Sequence, residues 1–597
     1  MTSDPQSIFN RIISRNYLVL WKHLSSGMKR HIIFLIFIVL CSVFVEVISI
    51  ALLVPFFSVL YDYQILVNNT SLINIFPNLT LYEKKDIVFI VTAMFVLSIV
   101  ISTAIKVLAV WFQSYLAFKM GARLTSRLYE NVLMQPYEFF LERNSSELVS
   151  TIYTKSNTVT YGVIFSLISI LTNSIFVLII ILFLLIFNYT LSLYIFSLIF
   201  ATYFFITYLF KDEMKKISTK INAEMNNSLR YLNEGFGGVR DVIINDDHIF
   251  YLDVFSKSDA GMRKLQAKSA VTSLVPRNIV ESIATLILVA VSYYFFINDM
   301  FDYAVVAALV TIVMAAQKIL PAAQQIYYAI TQIRTASSSL GDVVSLLELS
   351  DDLKNNDHDL MPITFDYKIT VENLHYRYHQ SNRDTLRQVN IGFRKGDRVA
   401  IVGPSGAGKS TFCDLLMGLL TPKDGVIRVD DVTLDPQNII SWRKLIAHVS
   451  QETFIFDKSI AENITLQFDV EAIDADRLNQ AVKNAGLCDF VNELPNGFQT
   501  ILGERGSKLS GGQKQRIGIA RALYKKSQVI FFDETTSALD AKAESLIMQT
   551  ICNLDASVTV FFITHKTSIL DGFNRVIKVN NGLVTIVEDR SGGNPLL

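Results

Sequence analysis

Long runs of apolar residues crowd the first half of the chain and stop near residue 325. The first spans Ile32–Leu60, interrupted by Glu46 and Pro55. It is followed by Ile87–Trp111, Val159–Phe187, Leu191–Phe210, Pro276–Ile297 and Ala304–Leu320. Most reach or approach the ~20 apolar residues that cross a bilayer core as a helix, so six membrane spans are predicted. The first run follows a polar N-terminal segment and is too long for the apolar core of a cleavable signal peptide. Two polar stretches between spans, residues 112–158 and 211–275, are too long for turns. Met120–Met134 and Ile217–Leu232 within them carry apolar residues at three-to-four spacing and few breakers. The membrane helices are therefore expected to continue into the cytosol.

After an Asp- and Asn-dense stretch at Leu349–Asp359 the pattern changes to short strand-like runs alternating with helical segments, as in a soluble α/β domain. The expected organisation is a membrane all-α six-helix domain at 1–348, a linker at 349–366 and an α/β phosphate-loop domain at 367–597. No internal repeat or low-complexity tract interrupts it.

Charge then orients the spans. Arg11, Arg15, Lys22, Lys29 and Arg30 precede the first helix, and Lys211–Lys268 is also rich in Lys and Arg. Tyr61–Asp86 carries only Lys84 and Lys85, and the turns Asn188–Thr190 and Asn298–Asp302 carry no basic residue. The excess of Lys and Arg on one side places both termini and the α/β domain in the cytoplasm. Composition agrees with a membrane protein, 51% hydrophobic and only 18% charged. The 54 basic and 54 acidic side chains balance, which gives no electrostatic footprint for nucleic acid. Cys41, Cys413, Cys488 and Cys552 form no CxxC pair, so neither a disulfide framework nor a zinc site is expected.

The chemistry lies in the second half. Arg398–Val402 is a short β-branched apolar run that leads directly into Gly403-Pro404-Ser405-Gly406-Ala407-Gly408-Lys409-Ser410 and then the helical stretch Thr411–Leu420. This is a phosphate-binding loop in its required strand–loop–helix context. Backbone N–H groups from Gly403, Ser405, Gly406 and Gly408 through Thr411 are suited to surround the phosphates of ATP at a helix N-terminus. Lys409 suits the β- and γ-phosphates, and Ser410 suits Mg²⁺. A second apolar strand, Val529–Phe532, ends in Asp533 and Glu534. Asp533 suits the Mg²⁺ shell, and Glu534 is placed as general base for the attacking water. A third strand, Thr559–Thr564, delivers His565. Leu509–Gln513, with Ser510, Gly511 and Gly512 ahead of a helical run, makes a further anion-binding helix start.

Together with Gln451 and Ser537–Asp540, these segments resemble the ATP-binding-cassette (ABC) ATPases in every diagnostic motif over residues 367–590. The six-helix half extends the resemblance over nearly the whole chain. It implies that Tyr378, with Tyr376 as competitor, stacks on adenine. It further implies that Gln451 senses Mg²⁺ and the γ-phosphate, and that His565 holds that phosphate. Ser510 and Gly512 would contact the ATP held by a second subunit, and Gln513 counts among the nucleotide-binding residues. One cassette then cannot close its own site. With Glu534 and the signature segment intact, a homodimer with two competent sites is the simplest assembly.

Gly503–Gly506 resembles the element that marks ABC exporters. Gln135–Phe140 with Ser146–Leu148, and Asn233–Asp241, resemble the coupling regions of exporters. The residues ahead of Ile32 leave no room for a peptidase domain, which disfavours a self-processing peptide exporter. For cargo, Lys106, Arg277 and Lys318 lie in or at the ends of the second, fifth and sixth helices, roughly 20–30 Å from the extracellular ends. They form a candidate cationic collar for a phosphate or pyrophosphate head group, unless they only reach toward lipid head groups. Glu281 is placed to neutralise Arg277, and Glu46 to do so for Lys106.

Glu46–Pro55, Pro276–Glu281 and Lys318–Pro321 resemble bacterial flippases for lipid-linked oligosaccharides, whose cargo is a polyprenyl-pyrophosphate glycan. Tyr61–Asp86 resembles their external helix. The two lysines depart from what a pyrophosphate site favours, because they lack the bidentate arginine fork. The expectation is a multi-pass protein of a bacterial inner membrane that moves such a lipid. The alternatives are a drug or lipid exporter of the same architecture, and an ABC-type regulator or channel subunit.

Overall fold

The computed structural model describes residues 15–23, 26–53, 55–57, 84–187, 189–298, 303–349, 361–379, 381–467, 469, 473–535 and 541–590. The chain forms two compact units. One comprises Met1–Leu133 with Arg143–Ser350, and the other Met134–Glu142 with Asp351–Leu597.

The first unit is helical, as its apolar runs require, because a helix satisfies every backbone N–H and C=O within the segment. Its long helices are α1 (Ser26–Ala51) and α2 (Lys84–Leu133). After the short α3 (Tyr137–Glu142), which belongs to the other unit, come α4 (Ser145–Ile186) and α5 (Tyr189–Gly237). The short α6 (Val239–Asn245), α7 (His248–Ile297), α8 (Tyr303–Thr335) and α9 (Ser337–Leu347) complete the unit. The six spans expected from the sequence fall on α1, α2, α4, α5, α7 and α8. By length and composition, the described residues of α1, α2 and α4 suffice to cross a membrane, and α7 holds the shorter apolar stretch Asn278–Tyr294. A helix of 50 residues, such as α2 or α7, is about 75 Å long, more than twice a bilayer core. The polar stretches Met120–Met134 and Ile217–Leu232 accordingly continue α2 and α5. The sixth span also runs on, through Pro321 to Thr335.

Helix α4 contains two π-helical turns, Ser150–Lys155 and Thr160–Phe165. The second lies where neighbours come very close. A Cβ on Gly121 of α2 would stand 2.4 Å from Thr160, and one on Gly162 would stand 2.7 Å from Ala336. Small residues allow such helix contacts. Beside them the fully buried Lys155 makes a 2.7 Å ion pair to Asp342 of α9.

The second unit holds two sheets. A four-stranded antiparallel sheet has the order β2-β1-β4-β5, from β1 (Lys368–Tyr376), β2 (Leu386–Arg394), β4 (Asp424–Val429) and β5 (Val432–Thr433). A six-stranded sheet has the order β10-β9-β3-β8-β7-β6. Its members are β3 (Arg398–Val402), β6 (Ile446–Val449), β7 (Val529–Asp533), β8 (Thr559–Ile563), β9 (Arg575–Asn580) and β10 (Leu583–Asp589). All neighbours in it are parallel except β10 with β9. Every residue of β8 is buried, as expected of a parallel strand covered on both faces. Phe531 stacks on Phe561 at 4.8 Å on one side of this sheet. Phe532 meets Phe562 at 5.7 Å on the other.

Candidate functional site: a phosphate-binding loop and its acidic strand

The sheet register explains why residues far apart in sequence meet. Ile401 pairs with Ile563, Ile563 with Asp533, and Val449 with Phe532. The carboxyl ends of β3, β8, β7 and β6 therefore lie side by side, where ligands of parallel α/β sheets bind. β3 delivers the phosphate loop, β8 delivers His565, β7 delivers Asp533 and Glu534, and β6 leads to Gln451.

The loop can pass this edge only with glycine at its start. A Cβ on Gly403 would lie 2.2 Å from the Val579 carbonyl oxygen. Gly408, at φ +101°, caps helix α10 (Lys409–Leu416) from the left-handed region that favours glycine. Ser405 and Gly406 are exposed, whereas Lys409 and Thr411 are buried. The Lys409 ammonium donates to the Gly403 and Pro404 carbonyls at 3.0 Å each, so it lies folded into its own loop. Ser410 Oγ donates to Asp533 Oδ2 at 3.2 Å. A hydroxyl and a carboxylate that converge on a phosphate loop are hard oxygen donors and fit Mg²⁺. Burial raises the Asp533 carboxyl above its ordinary value, with Glu534 adding to the rise. The Ser410 hydrogen bond and the charges of His448 and Lys409 pull the other way.

Glu534 sits at φ +48°, a left-handed conformation costly for a non-glycine residue, on the order of 1–3 kcal/mol. Its carboxylate is held from two sides. His565 Nε2 lies 2.7 Å from Oε1, and Gln451 Nε2 donates to Oε2 at 3.3 Å. The three residues singled out as catalytic in the sequence thus form one cluster, next to the Ser410–Asp533 pair.

Tyr378 is half-buried, and its hydroxyl shares a 3.0 Å hydrogen bond with Thr411 Oγ1. Tyr376, the competitor for an adenine-stacking role, is buried in the core and packs edge-on against Tyr378 at 5.0 Å. The exposed Ser510 caps α11 (Gly511–Lys525), accepting from Gln513 N–H while the Gln513 side chain accepts from Ser510 N–H. Gln513, expected from the sequence among the nucleotide contacts, here spends its side-chain oxygen on this reciprocal cap. Ser537–Asp540 lie outside the described residues, as does most of the external loop Tyr61–Asp86.

Helix α3, from between α2 and α4, falls in the stretch that resembles a coupling region, and it packs within the second unit, where Thr421 N–H donates to Glu138 Oε1 at 2.8 Å. Asp414 escaped the sequence reading. One turn into α10, it lies within electrostatic reach of both Tyr137 and Asp533. Burial, then the Asp533 charge, push its carboxyl up to about 6. No pattern of spacing marks it, because its surroundings depend on which distant segments pack on α10.

In the membrane unit, the proposed collar is altered. Lys318 of α8 makes a 2.7 Å ion pair to Glu46 of α1, and Ser102 of α2 donates to the same carboxylate. The sequence suggested Glu46 as counter-ion of Lys106. Instead it takes Lys318, while the Lys106 ammonium lies 5.3 Å from the centre of the Phe176 ring. The side chain of Arg277 lies outside the described residues.

Comparison with known proteins accords with this architecture. Residues 386–537 match the family described as ABC transporter, and residues 32–321 match the ABC transporter transmembrane region. The ATP-dependent lipid A-core flippase of Chromohalobacter salexigens is 26% identical over 488 residues, 81% of this chain and 83% of that one. Its counterpart in Saccharophagus degradans is 27% identical over 510 residues, 83% and 85% of the two chains. ABC transporter B family member 29, chloroplastic, of Arabidopsis thaliana is 28% identical, covering 76% of this chain and 72% of that one. Among solved structures, a bacterial Atm1-family ABC exporter with ATP bound superposes with a TM-score of 0.78 at 21% identity. It covers 95% of this chain and 96% of its own.

Proposed function

Because the chain belongs to the ABC transporter family, as an exporter-type half-transporter whose cassette couples ATP hydrolysis to transport, we propose that two copies assemble into a homodimer that flips a phosphate-bearing, lipid-linked oligosaccharide. The cassette would lie in the cytoplasm, and the membrane would be a bacterial inner membrane. The observation that carries the ATPase half is the cluster in which His565 and Gln451 hold Glu534 beside the Ser410–Asp533 pair.

In this reading the phosphate-loop amides and Lys409 bind the phosphates, the Lys409 ammonium leaving the Gly403 and Pro404 carbonyls to do so. Tyr378, steadied by Thr411, supplies the face for adenine. Ser410 and Asp533 hold Mg²⁺, which when bound neutralises phosphate charge. Glu534 accepts the proton of the attacking water, and His565 and Gln451 fix its carboxylate until the γ-phosphate offers them a partner. Ser510, exposed, and Gly512, half-buried, lie at the start of α11 and would meet the ATP of the other copy. Intact sites in each copy favour a homodimer over a pair with one inactive cassette. An intact Glu534 also weighs against a regulator or channel subunit.

For cargo, relatives named as lipid A-core flippases support a lipid substrate. Lys106, Arg277 and Lys318 support a phosphorylated head group. One observation favours the second reading, a drug or lipid exporter of the same architecture: Glu46 already neutralises Lys318. Flipping in proteoliposomes separates the two. ATP-dependent translocation of a polyprenyl-pyrophosphate sugar is expected, and translocation restricted to neutral amphipathic compounds would overturn the cargo assignment.

A further inference from the structure

The Glu46–Lys318 pair is unequal. Both carboxylate oxygens are engaged, Oε1 by Lys318 and Oε2 by Ser102, and the Glu46 side chain is only 4% exposed. The Lys318 side chain is 39% exposed. A charge pair that served only to fasten α1 to α8 would need neither partner accessible, and a charge left open among membrane helices is costly and usually functional. Here the anion is sealed and the cation is open on one side. One turn along α2 from Ser102, on the same helix face, stands Lys106, which is exposed and within electrostatic reach of Glu46.

We propose that Glu46 is a built-in counter-ion that holds Lys318 until a phosphate-bearing lipid head group displaces it, and so makes the cargo site selective for such lipids. This rests on the reading that the cargo is a phosphorylated lipid. The exchange replaces one charge-assisted hydrogen bond at Lys318 by another. Glu46 is not abandoned by it, because Ser102 still donates to the carboxylate and Lys106 stands one turn away. A neutral lipid has nothing to offer in exchange and leaves the pair closed. Glu46 thus acts through Lys318, as a specificity-determining residue that need not touch cargo.

The test uses the full-length protein in proteoliposomes. It reads the stimulation of each variant's ATPase, relative to its own unstimulated rate, by a polyprenyl pyrophosphate carrying one sugar, by the matching neutral polyprenol and by inorganic phosphate. Freeing Lys318 in Glu46→Gln is expected to lower the half-stimulating concentration of the pyrophosphate lipid roughly tenfold, and Lys318→Gln to raise it by a similar factor. The polyprenol response should not shift in either variant. The reversed pair, Glu46→Lys with Lys318→Glu, keeps an ion pair between α1 and α8 but puts the carboxylate on the open side. It should melt near wild type and lose the response to pyrophosphate lipid. A wild-type half-stimulating concentration in Glu46→Gln, or a wild-type response in the reversed pair, overturns the counter-ion role and leaves the cargo assignment standing. Equal shifts with inorganic phosphate overturn the lipid specificity. No response of the wild type to pyrophosphate lipid overturns the cargo assignment and this inference with it.

Discussion

Replacing Glu534 by Gln tests the assignment of the general base with little collateral damage to the site. The side chain keeps its length, and the backbone strain at φ +48° is common to both residues. The amide oxygen can take the place of one carboxylate oxygen and still accept from Gln451, while the amide NH2 in the other position can donate to a neutral His565 Nε2. What remains of the loss is the charge assistance at a partly exposed site, worth at most about 1 kcal/mol of stability after solvent screening. Lys409 bonds to Gly403 and Pro404, Ser410 to Asp533 and Thr411 to Tyr378, so the phosphate loop keeps its partners and ATP binding should survive. Hydrolysis should not. An amide cannot take up the proton of the attacking water, and a positioned general base contributes typically 10²–10⁴-fold. At 1.36 kcal/mol per tenfold, that is about 3–5 kcal/mol on the barrier. Phosphate release and equilibrium ATP binding, measured on the same preparation, give the answer. Turnover should fall at least a hundredfold with the ATP dissociation constant within a few-fold of wild type, and an ATP-bound dimer should accumulate. Turnover within a few-fold of wild type would refute the assignment. A parallel loss of binding and turnover would show that Glu534 supports the nucleotide pocket rather than the chemistry.

Two further outcomes are expected. If Ser510 acts on the partner's nucleotide, a mixed dimer with Ser510→Arg on one subunit and Lys409→Ala on the other concentrates both lesions in one site. It should regain ATP binding at the other site and part of the hydrolysis, and binding no higher than in either parent dimer would exclude composite sites. The second concerns pH. Asp414 titrates near 6 in the folded chain against an ordinary value of 3.8, so folding favours its protonated form. Its favourable contribution is complete below the unfolded value and is lost as pH rises through about 6. Asp414→Asn should therefore raise the melting temperature of the Mg²⁺-free protein at pH 7.5 and gain little at pH 4.5; an equal shift at both pH values would contradict the burial argument.

Local chemistry was legible in the sequence where the chain itself supplies the geometry. A strand that runs into Gly403–Ser410 and then a helix leaves little choice about where a phosphate sits. Ser510 and two glycines ahead of a helical run likewise mark a helix start, although the reciprocal cap that Ser510 and Gln513 make there was not read. His565 follows from its place after the strand that ends in Asp533 and Glu534, and Gln451 from the resemblance; the parallel register of β6, β7 and β8 accounts for their meeting. Legibility fails for contacts between helices far apart in sequence. The partner of Glu46 depends on how α1, α2 and α8 are rotated about their axes. Apolar spacing fixes that poorly in helices surrounded by lipid, where every face is hydrophobic. Pro321 lies inside α8, which neighbouring helices can hold together where the proline removes local backbone bonding.

The nine residues Met134–Glu142 have a practical consequence for anyone who would cut and paste this protein. They pack with a cassette that otherwise begins more than two hundred positions later, so the cassette is discontinuous in the gene. A single crossover at the linker, the obvious place to exchange ATPase modules between relatives, would pair a foreign cassette with a resident α3. The Glu138–Thr421 hydrogen bond and the surface around Tyr137 and Asp414 would then be assembled from two lineages. A chimera that moves α3 together with the cassette needs two crossovers. It should work where the one-crossover graft fails, because the natural unit of exchange has two pieces.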